Sequence, residues 1–190
     1  DKFISVVKSI STTFGGINLE DIKAPEAFKI ERELINDLDI PVMHDDQHGT
    51  AIISAAALLN ALELVNKKID DVKIVVSGAG AAAIACTKLY ISFGAKIENI
   101  IMTDSKGVIN QSRTDLSNEK KFFVTKRKIN SLEEAMVNSD VFIGLSMANI
   151  LTEKMLASMS KDPIVFAMAN PDPEINYDIA MSVRDDIIFA

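Results

Sequence analysis

Apolar positions along the chain follow two regimes that meet near Lys68. In the first, hydrophobic residues recur at helical spacing from Phe3 to Ile10, and again at Phe28, Ile30, Leu34, Ile35 and Leu38, behind Pro25, whose fixed φ suits a first helical turn. Two short extended pieces, Phe14 to Asn18 and Ile40 to Met43, separate these helices. Ala51 to Val65 is apolar nearly all round, which predicts a helix buried on most of its surface, with Ala55-Ala56-Ala57 allowing a close neighbour.

From Val72 onward the period switches regularly. Strands are predicted at Val72–Ser77, Asn99–Thr103, Val141–Gly144, Ile164–Ala169 and Ile187–Phe189, and helices at Ala81–Phe93, Leu132–Val137 and Thr152–Met159. Short apolar runs joined through helices imply right-handed crossovers and a parallel sheet, so the predicted fold class is α/β, doubly wound. Residues 68–190 form that domain, and 1–67 read as the end of a preceding domain with its connecting helix. Gln111 to Asn130 breaks the rhythm. Its Lys120, Lys121, Lys126, Arg127 and Lys128 read as a solvated excursion, with a cofactor phosphate contact as the alternative.

Composition narrows the class further. With 48% hydrophobic and 25% charged residues, the 190-residue chain can bury a sizeable core. Twenty Lys and Arg against 27 Asp and Glu give a net charge of −7, so no general attraction to nucleic acid or to an anionic membrane is expected. The single cysteine, Cys86, cannot form an internal disulfide, and neither a secretory-type start nor an eighteen-residue apolar run is present. A reducing, cytoplasmic setting is the expectation.

Chemistry enters at Gly78-Ala79-Gly80-Ala81-Ala82-Ala83, a Gly-x-Gly-x-x-Ala turn between a buried strand and a helix. Gly78 permits the tight turn, Gly80 removes a side chain where a pyrophosphate approaches, and Ala83 lets helix and sheet pack closely. Asp104 follows the next apolar strand, where a carboxylate can accept hydrogen bonds from adenosine ribose hydroxyls; this favours NAD over NADP, a preference that Lys106 softens. Glycines kept only for packing in a Rossmann-like domain are the competing explanation. Ligands of doubly wound sheets lie beyond the strand carboxyl ends, so Ser146 and Asn170 fall on the same rim. Pro171 and Pro173 fix the backbone after Asn170, which suits an amide donor to a substrate carboxylate, although Asn before Pro also simply starts turns.

Carboxylates cluster in the first third, at Glu20-Asp21 and Asp45-Asp46, each after a short extended segment. Oxygen ligands of this type suit Mg²⁺ or Mn²⁺, whereas adjacent acids also serve as solvated caps of a following helix. His44 and His48 do not make a zinc site: no cysteine is near, and the spacing lacks the Glu of a His-Glu-x-x-His base.

Taken together, Phe14-Gly-Gly-Ile-Asn-Leu-Glu-Asp-Ile22, Pro41-Val-Met-His-Asp-Asp-Gln-His-Gly-Thr-Ala51, the Gly78 turn and Phe166-Ala-Met-Ala-Asn-Pro-Asp-Pro173 resemble the bacterial-type malic enzymes through nearly the whole chain. The resemblance implies oxidation of L-malate with NAD or NADP and decarboxylation to pyruvate and CO₂ on Mg²⁺ or Mn²⁺, in a homodimer. It implies Glu20, Asp21 and Asp46 as metal ligands, Asn170 on the substrate, and Gly78, Gly80, Ala81, Ala82, Ala83, Asp104 and Ser146 at the dinucleotide. The family's catalytic lysine and tyrosine belong to a region before the Gly-Gly-Ile-Asn motif, so no catalytic residue is expected within these residues and the chain reads as a fragment that is inactive alone. Lys23, Tyr90 and Tyr177 do not match that pair. Two other readings remain: a non-catalytic nucleotide-binding module, and an amino-acid dehydrogenase-like oxidoreductase, which shares the turn but needs no divalent metal.

Overall fold

The computed structural model describes residues 2–190; Asp1, the first residue of the expected 1–67 segment, lies outside them. The opening segment builds a small layer. Strands β1 (Ile17–Leu19) and β2 (Val42–His44) pair in parallel, with Leu19 opposite His44, so both chains leave the pair at the same end. Helices α1 (Lys2–Ile10) and α2 (Glu26–Asp37) place Ile4, Val7 and Leu34 against Leu19, a core separate from those of the larger sheet.

Helix α3 (Asp45–Leu64) starts six residues before the predicted Ala51, because Asp45 and Asp46 occupy its first turn, where backbone N–H groups and the helix dipole favour carboxylates. Its Ala51, Ala55, Leu58, Ala61 and Leu62 pack with α4 (Ala81–Ser92) in the main core. The expectation of burial on most of its surface does not hold. Ile52, Ile53 and Leu64 are 59%, 68% and 79% exposed, so a second apolar stripe faces outward.

The larger sheet has the order β5-β4-β3-β6-β7-β8, formed by β3 (Ile74–Ser77), β4 (Ile100–Asp104), β5 (Gly107–Val108), β6 (Val141–Gly144), β7 (Ile164–Ala167) and β8 (Ile188–Phe189). Strands β3, β4, β6, β7 and β8 are parallel, as doubly wound topology requires, and every residue of β3, β6 and β7 is buried. The unpredicted strand is β5, an antiparallel edge reached through a turn with Gly107 at φ +104. Beyond it, α5 (Asn118–Lys121) sits in the charged segment, while Leu116 and Phe123 enter the core and the buried Asn110 donates to the Ile129 carbonyl at 2.8 Å. The segment is therefore anchored on the sheet rather than simply solvated. Helices α6 (Leu132–Met136), α7 (Glu153–Ala157) and α8 (Tyr177–Val183) complete the second face, α6 starting in a capping box between Ser131 and Glu134.

Candidate dinucleotide and metal site

The strand after β3 lies on one side of it and the strand after β6 lies on the other, so the crevice between their carboxyl ends is the topological switch point. Gly78 occupies that crevice. Its φ is +117, its N–H donates to the Thr103 carbonyl at 3.0 Å, and a Cβ there would lie 2.5 Å from the Leu145 carbonyl oxygen, so only glycine fits. Gly80 differs: a Cβ would meet nothing within 4 Å, leaving open space in front of the turn. As N-cap of α4 it offers no side-chain cap, so the amides of Ala81, Ala82 and Ala83 in the first turn are the donors available to an anion. An open approach over uncapped helix amides fits a pyrophosphate.

Ser146 sits across the same crevice, its hydroxyl 2.9 Å from that of Ser77. Its amide donates to Glu174 Oε1 at 3.0 Å, and the Ala169 amide donates to Oε2 of the same carboxylate at 3.0 Å. Glu174 is fully buried and fills the space in front of Gly144, where any side chain would collide with its carboxylate. One carboxylate thus holds the loops after β6 and β7 together, and the exposed Asn170 follows directly on the second. Sequence reasoning missed Glu174, since nothing local marks an acid after Pro-Asp-Pro as inward-facing.

Asp104, at the end of β4, is only 9% exposed at its side chain and is enclosed by cations. Arg113 donates from both terminal nitrogens at 3.1 and 3.2 Å, Lys120 Nζ at 2.6 Å, and the Lys106 amide at 2.9 Å. Burial alone would raise its carboxyl, but the Arg113 and Lys120 hydrogen bonds outweigh that and hold it down at about 2. Asp115 binds Arg113 Nε at 2.6 Å and Lys106 Nζ at 2.6 Å, and both hold it well below the usual carboxylate range.

The acidic motifs meet at the carboxyl ends of β1 and β2. The Asp21 amide, at a left-handed φ of 56, donates to Asp46 Oδ2 at 3.0 Å. Behind them the buried Glu31 of α2 accepts from the His44 amide at 2.9 Å and the Gln47 side chain at 3.3 Å, and its Oε1 lies 2.9 Å from His48 Nε2. Among the described residues, neither ring nitrogen of the fully buried His44 has a hydrogen-bond partner, and its Nε2 is 3.6 Å from Asp46 Oδ2. Among the described residues no three His, Cys, Asp or Glu side chains are gathered into a group able to hold a metal ion. The donor set nevertheless fits a hard divalent cation in kind: Glu20 and Asp21 are exposed, Asp46 is half-exposed, and all are carboxylates leaving one end of a parallel strand pair. Glu31, which supports that end, is another residue the sequence did not single out, as are Arg113 and Asp115 beside Asp104.

A Gly-x-Gly turn at a switch point, with an uncapped helix behind it and a charged strand end beside it, defines a dinucleotide-binding domain of the Rossmann class. Comparison with known proteins then specifies it. Residues 47–185 match the malic enzyme NAD-binding domain and residues 1–35 the malic enzyme N-terminal domain, so the chain belongs to the malic enzyme family. It is 50% identical over 188 residues to the NADP-dependent malic enzyme of Halomonas elongata, covering 99% of this chain and 44% of that protein. To the NADP-dependent malic enzyme of Haemophilus influenzae it is 51% identical over 190 residues, covering 99% of this chain and 25% of that one. The crystal structure of the NAD-dependent malic enzyme from Thermotoga maritima superposes with a TM-score of 0.91 at 41% identity, covering 99% of this chain and 51% of that one. The chain thus spans a quarter to about half the length of these relatives.

Proposed function

We propose that this chain carries the dinucleotide site and the metal-ligating carboxylates of an enzyme that oxidises L-malate and releases pyruvate and CO₂, reducing NAD or NADP. The observation that carries the reading is the open, uncapped N-terminus of α4 behind Gly78 and Gly80 at the switch point. The family membership of both its parts supports it, and neither part belongs to an amino-acid dehydrogenase.

In this reading the amides of Ala81, Ala82 and Ala83 hold the pyrophosphate, and Ser146 borders the cofactor from the β6 loop. Asn170 donates its amide to a malate carboxylate, and Glu174 fixes the loop that carries it. Glu20, Asp21 and Asp46 hold Mg²⁺ or Mn²⁺, with Glu31 bracing Asp46 through the start of α3. When bound, the cation polarises the malate hydroxyl and stabilises the negative charge that develops as CO₂ leaves.

We place the protein in the cytoplasm, a setting consistent with its one buried, unpaired Cys86; no helix among the described residues is long and apolar enough to cross a membrane. A homodimer is the proposed assembly, since Phe3, Val6 and Ile10 on α1 and Ile52 and Ile53 on α3 are exposed apolar groups in need of cover.

Calorimetric titration with NAD, NADP and Mn²⁺, beside a malate-dependent assay for reduced nicotinamide in the enzyme that carries this chain, tests the reading. Binding of a dinucleotide and metal-dependent turnover of malate are expected. Absence of dinucleotide binding, or turnover unaffected by a metal chelator, would overturn it.

A further inference from the structure

The imidazole of His44 occupies a position that suits an apolar side chain better. It is fully buried, closing β2 and preceding α3 as its N-cap, yet the side chain caps no amide of that helix. Neither ring nitrogen reaches a hydrogen-bond partner among the described residues. Buried polar groups nearly always find a partner, because their desolvation is otherwise uncompensated, and an apolar group of similar shape would fill the site without that penalty. The main-chain amide of His44 is satisfied, since it donates to Glu31 Oε1 at 2.9 Å. The backbone is thus held in place and the ring is left over.

What the ring approaches is Asp46. Its Nε2 lies 3.6 Å from Asp46 Oδ2, just beyond the ordinary N–H···O range of about 2.7–3.2 Å. The same oxygen already accepts the Asp21 amide at 3.0 Å. Each oxygen of an ionised carboxylate offers about two lone-pair sites, so a proton carried on Nε2 completes Oδ2 and leaves Oδ1, which has no hydrogen-bond partner among the described residues, open. Asp46 is 45% exposed at its side chain and able to turn, whereas the His44 ring is enclosed. The small closing movement therefore falls to the carboxylate.

We infer that His44 is the positioning residue for Asp46: its Nε2–H donates to Oδ2 and, together with the Asp21 amide, turns Oδ1 toward the divalent cation. The inference rests on the reading of Asp46 as a metal ligand, and adds to it a buried donor that sets which carboxylate oxygen ligates. Hydrogen-bond partners of a ligating carboxylate act on metal affinity without touching the metal, which gives the enclosed imidazole a purpose that packing does not.

The test is titration of the enzyme that carries this chain with Mn²⁺, read by the electron paramagnetic resonance signal of the free ion, beside a thermal melt and a calorimetric titration with NADP. His44→Met and His44→Gln form a pair of similar length, of which only glutamine keeps a nitrogen donor at its far end. His44→Met is expected to bind Mn²⁺ about tenfold more weakly or more, as loss of an outer partner does, with NADP affinity within about twofold. Its melt is expected at or above that of the unaltered protein, since two uncompensated polar atoms are gone. His44→Gln is expected to hold Mn²⁺ within about threefold. Unchanged Mn²⁺ affinity in His44→Met overturns the inference, whatever its melt. So does a loss of about tenfold in His44→Gln, and that variant decides alone if His44→Met fails to fold. Absence of Mn²⁺ binding by the unaltered protein, or an Asp46→Asn variant that binds it as tightly, refutes the metal reading and the inference with it.

Discussion

Gly78 and Gly80 sit two residues apart and carry opposite burdens, which makes paired substitutions the sharpest test of the site. In Gly78→Ala the new methyl meets a main-chain carbonyl at 2.5 Å, at a φ of +117 that a side chain rarely adopts. Backbone strain of this kind costs about 1–3 kcal/mol and overpacking against an immovable neighbour about as much again, so a loss of about 3 kcal/mol or more in stability is expected. In Gly80→Ala the methyl meets no atom within 4 Å and the backbone, at φ −85, is open to any residue. The only structural cost is a poorer N-cap, under about 1 kcal/mol. Yet that methyl stands where the pyrophosphate approaches, so dinucleotide affinity falls by about tenfold or more, equivalent to about 1.4 kcal/mol. Urea unfolding followed by circular dichroism gives the first quantity and calorimetry with NADP the second. Unchanged NADP affinity in Gly80→Ala would refute the placement of the pyrophosphate, and unchanged stability in Gly78→Ala would refute the account of the turn.

Three further outcomes follow from the same geometry. Because the Asp104 carboxyl is held at about 2, below its ordinary 3.8, its contribution is complete above about pH 4 and is lost as pH falls through 2; it is worth about 2 kcal/mol, and acid unfolding of Asp104→Asn should lack that portion of the pH dependence. Glu174→Ala strips the acceptor from the Ser146 and Ala169 amides, so a stability loss of about 1–3 kcal/mol, with weaker dinucleotide binding, is expected by urea titration and calorimetry; a fully stable variant would argue against the tie. Asp46→Asn should weaken Mn²⁺ binding by more than the roughly tenfold that follows loss of an outer partner, while NADP binding stays intact; a Mn²⁺ titration read by its magnetic resonance signal decides it.

The strands β3, β4, β6 and β7 were legible because each is an apolar run long enough to be buried on both faces and bounded by turn residues. The Gly78 turn was legible for a different reason: its function needs missing side chains, and glycine spacing records that directly. The start of α3 was hidden because Asp45-Asp46-Gln47-His48 is polar enough to pass for a loop, although its acids stabilise a first turn. Strand β5 is two residues long, too short to carry a period. The pairing of Asp104 with Arg113 and Lys120 spans 9 and 16 residues and depends on Leu116 and Phe123 docking in the core, a non-local event that a charge pattern cannot express. Glu31 and Glu174 escaped for the same reason, since burial of an acid is decided by which distant amides turn toward it.

The close fit between Gly144 and Glu174 reaches beyond stability, into which substitutions the chain can accumulate and in what order. With Glu174 in place, every larger residue at 144 collides with its carboxylate. Once Glu174 is shortened, the steric veto at 144 lifts, but the amides of Ser146 and Ala169 have by then lost their shared acceptor. The two positions are therefore epistatic: a side chain at 144 collides while Glu174 keeps its full length, whereas a change at 174 alone costs hydrogen bonds before it brings any freedom at 144. A route to a different residue at 144 runs first through a replacement at 174 that is shorter yet still accepts from both loops, so the order of the steps, and not only their sum, is constrained by a contact between two loops distant in sequence.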